Sequence, residues 1–309
     1  MQIKTIAADI LIIFCDFILE IEKRIIRIFA TLVFFHSGRG FIHMAHILLF
    51  IGNIFSSSPD VYTDLFLLAA GLFAGVINAV AGGGTFISMP VLIYAGLPSV
   101  QANASSTVAL FPGALASVYA YRKDFKSFEK ISLKMLIIIS LIGGCIGAFL
   151  LILTPSKNFD KIIPWLILVG SVTFIFGKQA GRLLQSRFTI SRTSLIIAQF
   201  ILGIYGGYFG GGAGIMMMAV WSVFGLADIK LINVNKTLLV GAANSIAVII
   251  FIASGKIWWT QTCIMLIATT IGGYVGAYYA RRLNQNVLRG VIIFLIVLIT
   301  VFFFYRAYK

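Results

Sequence analysis

The chain has 309 residues, 60% of them hydrophobic and only 11% charged, where an ordinary soluble domain carries about 25% charged residues. A mean hydropathy of +1.02 is more apolar surface than one or two soluble domains could hide from water. This excludes a soluble enzyme, a disordered tail and a disulfide scaffold, and it predicts an integral membrane protein. The net charge of +14 comes from 24 Lys+Arg against 10 Asp+Glu. These bases stand in short clusters between apolar runs, with no aromatic-basic platform, so they read as membrane-topology signals and not as a nucleic-acid surface. Cys15, Cys145 and Cys263 sit singly in apolar runs and read as inert thiols.

In chain order, residues 1–59 form an N-terminal extension. Within it, 5–22 can make an amphipathic helix, with Asp9, Asp16 and Glu20 toward one face. A basic stretch (Lys23, Arg24, Arg27, Arg39) follows, then an apolar run over 40–55. No cleavable signal peptide is recognisable. Two readings stay open: an interfacial helix plus an extra span, or a misassigned start with Met44 as the true first residue.

Eight apolar segments, 62–81, 101–121, 131–153, 161–180, 194–209, 230–253, 258–280 and 287–305, approach the roughly 20 residues that a spanning helix needs. Two more, 85–97 and 213–226, are too short to span comfortably, and each follows a glycine cluster. Nothing alternates with period two, so the predicted class is all-α, because only helices and closed barrels span lipid.

The chain repeats itself. Gly82-Gly83 matches Gly211-Gly212, Gly96-Leu97 matches Gly225-Leu226, and the block Gly143–Ala148 matches Gly272–Ala277 at one common offset. Asn103 and Ser105 match Asn235 and Thr237 after a short insertion. Two repeats of about four transmembrane helices each follow, over 60–180 and 192–309, joined by a connector at 181–191. Basic residues concentrate in 122–130, 178–192 and 281–289, while 56–60 has none. The positive-inside rule places those three loops in the cytoplasm, so equivalent loops fall on opposite faces and the repeats are inverted. Short, glycine-interrupted segments at matching places in inverted repeats point to a transporter's midplane site.

The first interruption brings together Asn78, Gly82, Gly83, Gly84 and Thr85, and the second Gly210, Gly211, Gly212 and Gly214. A helix restarting after such a break offers unpaired N–H groups with a partial positive charge, which suits an anion. Glycines spaced GxxxG, at Gly71/Gly75, Gly143/Gly147, Gly203/Gly207 and Gly272/Gly276, read instead as helix packing. The following segments add Asn103, Ser105, Ser106 and Thr107 in one half, and Asn235, Lys236, Thr237, Asn244 and Ser245 in the other. Polar groups at membrane depth are costly and face a cavity or a partner. Lys236 is either a substrate contact or a side chain snorkelling to the interface.

All ten acidic residues lie in the extension, in loops or at segment ends, whereas cation pumps commonly need a carboxylate at membrane depth. An anionic substrate is favoured. No Walker A loop or HExxH is present, and His43 and His46 lack ligating partners. No catalytic residue, metal or cofactor is expected.

The run Gly71–Asp124 (GLFAGVINAVAGGGTFISMPVLIYAGLPSVQANASSTVALFPGALASVYAYRKD) resembles the first repeat of the sulfite exporter TauE/SafE family, the TSUP permeases. The stretches GIYGGYFGGGAG, GGYVGAYYARRL and VLRGVII resemble its second. The resemblance implies a plasma-membrane permease for sulfur oxyanions or organosulfonates such as sulfite, sulfoacetate or thiosulfate. By the same resemblance, the glycine breaks and the Asn/Ser and Asn/Lys/Thr positions line the path. Family members begin near the equivalent of 60–65, so the extension departs from the pattern.

The resulting expectation is a multi-pass secondary transporter in the bacterial inner membrane, exporting a small anion by alternating access. The expected partners are the lipid bilayer, the anion and, as an open option, further copies of the chain in a homo-oligomer; no nucleic acid is expected. The competing reading is a non-transporting assembly or sensor subunit, which needs no matched pair of broken helices. An intramembrane enzyme is weakest, for want of a nucleophile–base pair.

Overall fold

Lipid offers no water to backbone N–H and C=O groups, so each buried segment must pair its own, and helices do so. The computed structural model of the chain describes residues 61–120, 123, 125–128, 131–185, 191–223, 229–280 and 285–309. Among these it places ten helices: α1 (Val61–Ala81), α2 (Thr85–Tyr94), α3 (Ser99–Ala120), α4 (Leu133–Leu153), α5 (Ser156–Gln185), α6 (Arg192–Tyr208), α7 (Ala213–Val223), α8 (Ile229–Ala253), α9 (Trp259–Ala280) and α10 (Gln285–Tyr308). The described residues contain no strand, and Phe128 and Ile131 form an isolated bridge. The extension 1–59, with the 5–22 helix, His43, His46, Met44 and Cys15, lies outside the described residues, as do Arg122, Lys130, Arg187, Gly225, Leu226, Arg281 and Arg282.

Three helices, within α1, α4 and α8, are long and apolar enough to cross a membrane. The other predicted spans form helices that miss this standard. Helix α6 has 17 residues, α3 carries Gln, Asn, Ser and Thr, and α5 includes lysines and an arginine among its 30 residues. At 1.5 Å per residue α5 is about 45 Å long, more than the roughly 30 Å of a hydrocarbon core.

The packing depends on glycine. A Cβ at Gly71 would lie 2.7 Å from Ala268 Cβ, and one at Gly276 would lie 2.7 Å from Val76 Cα. These glycines let α1 and α9 cross backbone against backbone, running in the same sense. Helices α4 and α6 repeat the arrangement. A Cβ at Gly143 would sit 2.8 Å from Phe200 O, one at Gly147 2.6 Å from Tyr208 N, and one at Gly207 2.7 Å from Gly144 Cα. The four GxxxG pairs thus form two crossings, in the packing role that the sequence predicts. Helix α8 lies on α4, where a Cβ at Gly144 would be 2.7 Å from Ala243 O. Helix α9 lies on α3, where Thr269 Oγ1 donates to Ala109 O at 2.7 Å.

Helices α2 and α7 are short returns. The Phe66 and Tyr94 rings meet edge to face at 5.4 Å, so the end of α2 lies beside the start of α1. In the other half, Trp221 of α7 donates to Gln199 Oε1 of α6 at 3.1 Å. Each return is about 15 Å long by helix rise, half a hydrocarbon core.

The distribution of side chains is that of a protein in lipid. Large apolar residues such as Phe73, Ile142, Phe149, Ile201, Ile271, Val297 and Phe302 point outward. Ser88, Asn103, Ser106, Ser140, Gln199 and Asn235 are inside. A hydrophobic cluster of Phe128, Leu136, Leu195, Leu202, Met217, Trp221, Ile232 and Leu239 closes one end of the bundle. Within it, Gln199 Nε2 donates to Ser140 Oγ at 2.8 Å, tying α4, α6 and α7 together.

Leu at Gly75 or Gly147 must push two backbones apart. Each substitution is expected to cost about 2–3 kcal/mol or more, read as a large drop in the yield of monodisperse protein on size-exclusion chromatography. Gly290→Ala, at a position with open space beside it, should leave that yield unchanged.

Candidate functional site

Both helix breaks rest on backbone that L side chains rarely adopt. Gly82 has φ +74, Gly210 φ +76 and Gly212 φ +75, so these positions need glycine. The first break is pinned from within: Gly82 N–H donates to Asn78 O at 2.9 Å, and Gly84 N–H to Asn78 Oδ1 at 3.4 Å. Helix α2 restarts at buried Thr85. In the second break, Phe209 and Gly210 N–H groups both turn back to Tyr205 O. Among the described residues, the N–H groups of Gly83, Gly211 and Gly212 enter no backbone hydrogen bond. Those of Gly211 and Gly212 stand at the positive start of α7.

The two breaks meet. A Cβ on Gly210 would have Gly206 O at 3.6 Å, Thr107 Oγ1 at 3.7 Å and Thr85 Oγ1 at 3.8 Å as its nearest neighbours. The Phe86 and Phe209 rings, one beside each break, lie 6.1 Å apart, and Tyr205 meets Phe209 edge to face at 5.9 Å. The Phe86 ring lies against α5 and the second break, since a Cβ at Gly170 or at Gly212 would come within 2.9 Å of it. The Tyr205 hydroxyl is 2.9 Å from Gly211 O and 3.2 Å from Leu166 O, which holds the loop against α5.

Asn103, 1% exposed, donates from Nδ2 to Tyr208 O at the last residue of α6, at 3.0 Å. Its Oδ1 has no partner, and the same holds for Asn235 and Asn244. A buried acceptor left alone costs about 1–3 kcal/mol. The amides of Asn103 and Asn235 are therefore already part-committed, and the atom that each leaves over is an acceptor. Asn235 donates to Lys126 O at 2.8 Å, in the loop between α3 and α4, and not to a helix end. Lys236 lays its stem along Gly214, whose Cβ would sit 3.6 Å from Lys236 Cδ.

The sequence-predicted residues thus divide. Asn78, Gly82, Gly83, Gly84, Thr85, Asn103, Gly210, Gly211 and Gly212 build the two breaks and their meeting point. Ser105 accepts from Trp258 N–H at 3.2 Å, and Ser106 shares a 2.5 Å hydrogen bond with Ser88, so both brace neighbouring segments. Thr237 and Asn244 lie half-buried along α8. Phe86, Phe209, Tyr205 and Gly170 were missed. Their only signal in the sequence is an aromatic flanking each glycine cluster. Among the described residues no group of three or more His, Cys, Asp or Glu could hold a metal ion.

A helical bundle with apolar side chains outward, a polar interior and two broken helices meeting inside it is the scaffold of a membrane transporter. Residues 67–303 match the family described as "Sulfite exporter TauE/SafE", and the chain belongs to that family. It is 27% identical to a "Probable membrane transporter protein" of Haemophilus influenzae over 252 residues, covering 78% of this chain and 95% of that one. It is 26% identical to the "Probable membrane transporter protein YfcA" of Escherichia coli K12 over 249 residues, 78% and 88% of the two chains. To the "Probable membrane transporter protein YunE" of Bacillus subtilis it is 25% identical over 261 residues, 76% and 94%. No solved structure matches the chain.

Ala at Gly212 has to adopt φ +75 and meet the Phe86 ring at 2.9 Å. Only the second of these penalties can be relieved by Phe86→Leu. A double-mutant cycle on thermal stability should give a coupling of about 1 kcal/mol in favour of the pair, and additive losses would show that the ring is not seated on Gly212.

Proposed function

We propose that this protein is a multi-pass plasma-membrane secondary transporter that exports small anions, sulfur oxyanions or organosulfonates such as sulfite, by alternating access of two inverted repeats. One observation carries the reading: the two glycine breaks meet, and the N–H groups of Gly211 and Gly212, which enter no backbone hydrogen bond among the described residues, stand at the N-terminal end of α7. Such an end attracts negative charge. Lys236 beside Gly214 supplies a full positive charge close by, and all acidic residues lie outside the breaks. The chemistry is that of binding and release, with no reaction catalysed.

The helix pairing supports the inversion. Exchange α1–α5 for α6–α10 in order, and the α1–α9 crossing becomes the α6–α4 crossing, while the α3–α9 contact becomes α8–α4. Placing the basic loops in the cytoplasm sends α1 and α9 inward together and α4 and α6 outward together. Those are the senses in which each pair packs.

The reading is tested with purified protein in liposomes loaded with sulfite, thiosulfate or sulfoacetate. Saturable efflux of at least one anion is expected, reduced about tenfold by Lys236→Gln with little change in melting temperature. Absence of flux with all three anions would instead favour a non-transporting assembly subunit, and undiminished flux in Lys236→Gln would remove the lysine from the path.

A further inference from the structure

We propose that the break between α6 and α7 also binds a monovalent cation of sodium's size, held by the oxygens of Asn103, Thr107, Thr85 and the last carbonyls of α6. Asn103 is the first observation. Its amide donates to Tyr208 O, which fixes the nitrogen and leaves Oδ1, fully enclosed, without a partner. The oxygen needs either a hydrogen-bond donor or a cation.

The second observation is the space beside Gly210. Apart from Gly210 and its chain neighbours, the three heavy atoms nearest to where its Cβ would stand, Gly206 O, Thr107 Oγ1 and Thr85 Oγ1, are all oxygens, at 3.6 to 3.8 Å. Thr107 gives its hydrogen to Asn103 O at 2.9 Å, so it presents lone pairs to anything placed there. The helix end adds carbonyls without intrahelical partners and a partial negative charge. The cluster therefore accepts and barely donates. An oxyanion is acceptor-only as well and would be repelled from these atoms, so its place is at the start of α7, a few residues further on.

The charge of the cation follows from the ligands. All are neutral oxygens, and no carboxylate is among them. Divalent ions favour sites with carboxylates, while carbonyl and hydroxyl oxygens alone suit an alkali cation. Broken-helix transporters place cations at half-helix C-termini and anionic groups at half-helix N-termini. Here both ends belong to one break, so a bound cation should tighten the hold on an anion beside it. That last step rests on the anion reading; cation binding itself does not.

The experiment uses the full chain in detergent, with sodium chloride exchanged against choline chloride at constant ionic strength while thermal unfolding is recorded. Sodium should raise the melting temperature saturably, by about 5 °C or more near saturation, and potassium should raise it less. Asn103→Leu and the isosteric Thr107→Val should both lose this rise. If Asn103→Leu fails to fold in choline, Thr107→Val decides alone, because valine keeps the shape. A melting temperature indifferent to sodium, or a sodium response intact in Thr107→Val, would overturn the site. Sulfite titrated in both media should bind at least tenfold more tightly in sodium. A sodium response without any sulfite response would remove the anion reading and leave the cation site standing.

Discussion

Two contacts without side chains hold the bundle. Where α1 meets α9 and α4 meets α6, backbone rests on backbone, and there is no room for a Cβ at Gly75, Gly147 or Gly276. Lipid tails are as apolar as leucine, so water does not drive these helices together. Close approach takes its place, through many short contacts and the dipoles of facing peptide groups. Everything central depends on this approach. Because α1 and α6 are each clasped by a helix of the other half, their unwound ends arrive side by side and the two glycine breaks become one locus.

At that locus the hydrogen-bond account is unusual. Most buried polar groups in proteins are paired, and here Ser88, Ser106 and Ser105 follow that rule. Asn103 does not follow it fully, since its Oδ1 keeps an acceptor with nothing to accept. The breaks add unpaired N–H groups a few residues away. Donors and acceptors that could not reach each other are held apart by the loop geometry, which Tyr205 fixes against α5. Carbonyl oxygens thus gather at the end of α6 and N–H groups at the start of α7.

Much of the fold was legible in the sequence. The ten apolar or glycine-bounded segments reappear as ten helices among the described residues, because composition and length decide helix formation in lipid. The GxxxG pairs were read as packing, and they pack. Which pair meets which was not legible, since all four motifs are alike and partners are chosen in three dimensions. The sequence does not decide the course of α2 and α7, because a run of ten apolar residues can cross, re-enter or lie flat. The glycine breaks stand out in the sequence through their rarity, and Thr85 and Asn103 lie beside them in the fold. Phe86 was not found, because one phenylalanine among 27, marked only by its place beside a glycine cluster, does not stand out until the glycines that receive it are seen. Asn235 was expected beside the substrate by its match to Asn103, yet its amide turns to the Lys126 carbonyl. A match between two sequence segments fixes a position along a helix but not the hydrogen-bond partner there.

The cross-clasping of the halves also sets a timetable for biogenesis. Gly71 rests on Ala268, and nearly two hundred residues of chain separate them. At roughly 5–20 residues per second of synthesis, α1 waits on the order of ten seconds or more in the membrane before its partner exists. During that interval its bare glycine face is open to lipid and to any other small-residue face, including that of the α4–α6 pair. Helices α4 and α6 meet much sooner, with only some sixty residues between Gly143 and Gly203. The second crossing to be written in the sequence is thus the first that the growing chain can complete, and its early closure removes the competitor that α1 would otherwise find.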